Sequence, residues 1–107
     1  MKNATNGAPA SAGSENDRQL RLAMLAHDLR NVLAVLAQAG GGPGDICRIT
    51  AFCCDRDAYL AARPELGAIW RRLMGRHFPA MSMIFVADLL DHPAKIELEA
   101  TAVIPAA

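Results

Sequence analysis

The chain has 107 residues, 11 Lys and Arg against 11 Asp and Glu, and 52% hydrophobic residues, which fits one globular domain and leaves no room for two. Balanced charge gives no general attraction for phosphate backbones or anionic membranes, so no nucleic-acid partner is expected. The longest apolar stretches, Asn31 to Ala39 and Met83 to Leu90 interrupted by Asp88, fall well short of the ~20 residues that span a bilayer, so no membrane is expected either.

Residues 1–15 are rich in Ala, Gly, Ser and Asn. They carry too little bulk to offset ordering entropy, which predicts a disordered tail over 1–15 and a folded domain over 16–107. The same stretch lacks the apolar run of a secretory leader, so a cytoplasmic location is expected. From Gln19 to Ala39 apolar residues recur at Leu22, Leu25, Ala26, Leu29, Val32, Leu33 and Leu36, the spacing of one helical face. Ser14, Asn16 and Asp17 offer N-caps, and Gly40-Gly41-Gly42-Pro43-Gly44 cannot continue a helix.

Ile46 to Cys54 is dense in β-compatible residues and reads as a strand of about nine residues. A second helix takes its register from Leu66, Ile69, Trp70 and Leu73. Because proline suits a first turn, its body is predicted over Pro64 to Gly75, after a looser turn around Asp57 to Ala62. Met81 to Leu90 reads as extended, Asp91-His92-Pro93 as a turn, and Lys95 to Ile104 as an alternating strand. The last two segments suggest an antiparallel hairpin. The expected fold is α+β, with helices packed on one face of a mainly antiparallel sheet. The other face of so thin a sheet, carrying Cys47, Ile49, Ala51 and Cys53 or the opposite set, predicts self-association.

Cys47, Cys53 and Cys54 are an odd count with two adjacent, poor material for a disulfide framework in a cytosolic chain, so free thiols are expected. Cys53 and Cys54 on a strand point to opposite faces. With His77 or His92 they show no metal-ligand spacing, so no metal or cofactor is expected. A nucleophilic thiol needs a base beside it, which the sequence does not locate. His27 reads as solvated or partly packed, and Arg71, Arg72 and Arg76 as complements to a helix C-terminus. The glycine run follows a helix and precedes a strand, the reverse of a phosphate loop. Glu97 and Glu99 stand about 7 Å apart on one strand face and read, by themselves, as a solvated face.

Several segments change that weighting: Leu29-Arg30-Asn31-Val32 with Ala39-Gly40, Gly44-Asp45-Ile46 leading to Thr50-Ala51-Phe52, Phe78-Pro79-Ala80 followed by Ser82, and Lys95-Ile96-Glu97-Leu98-Glu99-Ala100. In order and spacing, from Asp28 onward, they resemble the RidA/YjgF family of imine and enamine deaminases. The resemblance implies a chorismate-mutase-like fold, here shortened, that assembles as a homotrimer with small-molecule clefts between subunits. It implies a catalytic Glu97 that orients water against an imine carbon, with Met81, Ser82, Met83 and Arg63 lining the substrate cleft. Two departures stand out. Met81 occupies the place of the arginine that pairs with the substrate carboxylate, and the family's N-terminal two-strand hairpin has no counterpart in residues 1–27. The expected function is a non-catalytic or altered small-molecule-binding module, with an imine or enamine deaminase of the hydrolase type as the alternative.

Overall fold

The computed structural model describes residues 15–91 and 94–106. In chain order the elements are α1 (Glu15–Gln38), a 3-10 turn (Pro43–Asp45), β1 (Ile46–Cys53), α2 (Arg56–Met74), β2 (Ala80–Phe85) and β3 (Ile96–Ala102). Both helices pack on a three-stranded mixed sheet, the α+β arrangement expected from the sequence. The expected tail falls largely on residues outside those described, as do Ser14, His92 and Pro93. Asn16 and Asp17 lie inside α1, after its first residue.

The end of α1 follows from two glycines. Gly40 has φ +85°, and the Gly40 and Gly41 amides donate to the Ala37 and Leu36 carbonyls, the double bond of a Schellman cap. At Gly41 the need is space: a Cβ there would stand 2.8 Å from Leu36 Cδ1 and 2.9 Å from Ile104 Cγ1.

The second helix corrects the sequence reading, because it runs unbroken from Arg56 through Pro64. Asp55 caps it, accepting from the Ala58 amide at 3.0 Å, so the helix is under way two turns before the proline. Ala58 and Ala62 bury its inner side. Leu60, Ala61, Arg63 and Pro64 lie exposed on the outside, where water can satisfy the carbonyl that proline leaves unbonded. Gly75, at φ +66°, ends it as expected.

The sheet order is β2-β1-β3, so the expected hairpin between the last two strands does not form. β1 lies between them, parallel to β2 from Arg48↔Ala80 to Cys53↔Phe85 and antiparallel to β3 from Ile46↔Ala102 to Cys53↔Ile96. With one pairing of each kind, the sheet is mixed and not mainly antiparallel. The reason is burial: Ile49 and Ala51 are 0% exposed, and the strand with the most buried side chains takes the centre. The glutamate-bearing β3 takes an edge, where charge is tolerated. The 26 residues that α2 and its loops place between β1 and β2 are ample for a parallel crossover.

Alternation in β3 holds, with Ile96, Leu98, Ala100 and Ala102 on the helix side. In β1 a bulge between Ile46 and Arg48 breaks it, so Ile46 and Ile49 both point inward and Cys47 is exposed. The core is Leu29, Ile46, Ile49 and Met74, with Val32, Leu33, Leu36, Trp70, Leu73 and Leu98 around it. The opposite sheet face carries Thr50, Phe52, Ser82, Ile84, Glu97 and Glu99 and, among the described residues, has no helix over it.

Candidate functional site

Met81 and Met83 pair with Ile49 and Ala51 and so project to the helix side of the sheet. There they line an apolar cleft of about 220 Å³ with Tyr59, Trp70 and Phe78. Met81 remains 45% exposed. The loop that delivers it is fixed by polar contacts: Trp70 Nε1 donates to the His77 carbonyl at 3.0 Å, and His77 Nε2 donates to the Ile46 carbonyl at 2.7 Å. Trp70 also stacks on Phe78 with centroids 6.1 Å apart. His77, weighed in the sequence as a metal ligand, is thus a structural tie between the α2–β2 loop and the start of β1.

Ser82 pairs with Thr50, and Glu97 with Phe52, which puts both on the uncovered face. They stand on opposite edge strands, about 10 Å apart across the sheet and two residues apart along it. Arg63 is exposed on the outer side of α2. Within one chain the five expected site residues therefore share no pocket: two face the helix-side cleft, two face the open sheet, and one lies on the helix exterior.

Glu97 instead borders a groove of about 430 Å³ between α1 and β3, with Asp28 and Asn31 at its polar end and Val32, Val35 and Leu98 among its apolar walls. Asn31 Nδ2 lies 3.2 Å from His27 Nε2. Burial lifts the Asp28 carboxyl above the ordinary carboxylate range; His27 opposes the rise and Glu97 adds to it. The sequence reading gave Asp28 no role. Its signal was a carboxylate one helical turn before Val32 and two before Leu36, on the flank of the apolar stripe.

Because the raised value favours the neutral acid in the fold, the stability tied to it is complete below the ordinary carboxylate range and is lost as pH climbs through the raised value. Asp28→Asn is therefore expected to match the parent in thermal unfolding near about pH 3 and to exceed it at neutral pH, by less than about 1 kcal/mol for so solvent-screened a group. An equal gap at both pH values would exclude ionisation as the cause.

None of the three cysteines forms a disulfide; Cys53 is buried and Cys47 exposed. The Cys54 thiol donates weakly to the Ala94 carbonyl at 3.7 Å. Among the described residues no three His, Cys, Asp or Glu side chains are grouped to hold a metal, and no helix is long and apolar enough to cross a membrane.

These features define an α+β protein with two helices on one face of a three-stranded mixed sheet, and comparison with known proteins places it further. The family model described as endoribonuclease L-PSP matches residues 14–104, so the chain belongs to that family, also called YjgF/RidA. No curated protein matches. Among solved structures, the YjgF gene product of E. coli is 36% identical, with TM-score 0.61 over 71% of this chain and 58% of that one. A Thermotoga maritima protein provisionally described as an endoribonuclease is 31% identical, with TM-score 0.60 over 73% of this chain and 57% of that one. A Mycobacterium tuberculosis member of the YjgF/YER057c/UK114 family is 26% identical, with TM-score 0.60 over 71% and 61%. The chain thus spans 57–61% of the lengths of these relatives.

Proposed function

We propose that the chain is a small-molecule-binding module of the YjgF/RidA family that assembles as a homotrimer, holds a neutral and largely apolar ligand in clefts between subunits, and has set aside the family's deamination chemistry. The observation that carries this reading is Met81. It stands where the resemblance implies a carboxylate-holding arginine, and it lines an apolar cleft. A thioether supplies no charged donor, and a charge-assisted hydrogen bond contributes about 1.5–3 kcal/mol.

The uncovered sheet face supports assembly. Ile84 is 43% exposed there, and covering apolar area stabilises by about 25 cal/mol per Å². Glu97 and Ser82 look outward from the same face, so a second chain is the means of bringing them toward the Met81 and Met83 of a neighbour. An endoribonuclease reading has less support, because a chain with 11 basic and 11 acidic residues offers no net attraction for a phosphate backbone.

Light scattering is expected to give three times the chain mass of 11.4 kDa, and neutral apolar compounds are expected to raise the melting temperature more than carboxylates do. With an imino acid generated in situ by an amino-acid oxidase, no acceleration of deamination is expected. Acceleration that Glu97→Gln abolishes would install the deaminase reading in its place, with Glu97 positioning water for attack on the imine carbon.

A further inference from the structure

The helix-side cleft at Met81 gathers three of the chain's five aromatic residues, Tyr59, Trp70 and Phe78, beside Met81 and Met83, and among the described residues no charged side chain lines it. Its aromatic walls are held in place by the protein itself. The Trp70 N–H is engaged by the His77 carbonyl, the Trp70 ring stacks on Phe78, and Tyr59 meets Phe85 edge-on with centroids 5.9 Å apart. Phe78 is nonetheless 68% exposed, so a fixed aromatic face stands uncovered at the cleft. The volume of about 220 Å³ exceeds the roughly 150 Å³ of an apolar cavity that takes up benzene and falls short of the ~300–1,000 Å³ of drug-sized sites. One ring with a short substituent fits it.

Gly67 of α2 also lines this cleft. Glycine inside a helix destabilises it relative to alanine, yet Gly67 has no positive φ that would call for glycine. Crowding does not call for it either, since a Cβ there would meet only Arg71 Nη1, at an ordinary 3.8 Å. What the missing side chain leaves is room in the cleft wall.

We propose that the ligand of the Met81 cleft is a neutral single-ring aromatic compound and that Gly67 is the residue that admits its ring. The ring gains stacked or edge contacts with Trp70 and Phe78 and sulfur contacts with Met81 and Met83. A saturated ligand of equal size fills the volume without those contacts, and a charged one loses its hydration with no lining charge to replace it. The proposal rests on the neutral-ligand reading given above and narrows it to a chemical class.

Trp70 is the only tryptophan, so its emission reports on this cleft. The test titrates the full chain with benzyl alcohol, with cyclohexylmethanol, which keeps the skeleton and lacks the π system, and with benzoate. Benzyl alcohol is expected to shift the emission saturably and to bind about fivefold more tightly than cyclohexylmethanol, with benzoate the weakest. Gly67→Ala is expected to raise the melting temperature while weakening benzyl alcohol, and Gly67→Leu to abolish its binding, a combination that loss of folding does not produce. Equal affinity for the two alcohols would overturn the aromatic assignment and leave the neutral-ligand reading standing, whereas benzoate binding tightest would overturn both. Unchanged binding in both Gly67 variants would overturn the role given to Gly67. No response to any of the three compounds, with a free emission that depends on protein concentration, would put a side chain of a second copy in the cleft and overturn the proposal.

Discussion

Leu29→Ala is expected to remove about 2–5 kcal/mol of folding free energy. Leu29 is 1% exposed and packs with Ile46, Ile49 and Met74, where α1 and α2 meet the sheet. Shortening it to alanine deletes transferred apolar surface and leaves a hole bounded by three elements that cannot all collapse at once. A small domain holds a net stability of only about 5–15 kcal/mol, so the loss is a large share of the whole. Denaturant titration should show a lower midpoint at an unchanged slope. Leu33→Ala, at a half-buried site on the rim of the same cluster, provides the internal scale and is expected to cost less. If the two variants lost equal amounts, Leu29 would not be the centre of the core.

Met81→Arg carries the largest functional effect. The parent and this variant differ at a position 45% exposed on the β2 edge strand, so the longer side chain can keep its head in water and the fold should survive the change. A guanidinium there can form a paired, charge-assisted contact with a carboxylate, and on the proposed reading the affinity for small carboxylates rises about tenfold to a hundredfold. Titration calorimetry with a series of small carboxylic acids, matched against their amides, measures it. A gain for acids and none for amides places the cleft at Met81. If acids and amides gained nothing, Met81 would lie outside the ligand cleft, and the neutral-ligand reading would lose its carrier.

What the residues disclosed before any coordinates differs by element for physical reasons. Leu29, Val32, Leu33 and Leu36 repeat at helical spacing and are followed by Gly40, and α1 appears there with the expected glycine cap. The alternation from Ile96 to Ala102 named both the strand and its inner face. Alternation fixes which way side chains point but not which strand lies alongside, so Met81–Phe85 and Ile96–Ala102 looked like each other's partners when both pair with Ile46–Cys53. Pro64 misled because a local rule about one missing amide was outweighed by a cap at Asp55 and burial of Ala58 and Ala62. The bulge after Ile46 left no mark in residue type. The site was the least legible part: Glu97, Ser82, Met81, Met83 and Arg63 came from a family resemblance, and a single chain spreads them over two sheet faces and a helix exterior. Asp28, whose ionisation the fold does perturb, was recoverable only by noticing an acid on the shoulder of an apolar stripe.

The central position of the Ile46–Cys53 strand also sets an order of events. Its parallel neighbour arrives through the α2 crossover within 40 residues, counted from Ile46 to Phe85, whereas its antiparallel neighbour begins only at Ile96. Closing the longer loop carries the larger entropic cost and slows the step that depends on it. Until Ile96–Ala102 pairs, the β1 strand that carries Ile49 and Ala51 has one flank unbonded. The seven-residue strand Ile96–Ala102 is the piece whose late docking completes the three-stranded sheet, and a folding chain in which it has not yet docked exposes the edge most able to capture a neighbouring chain.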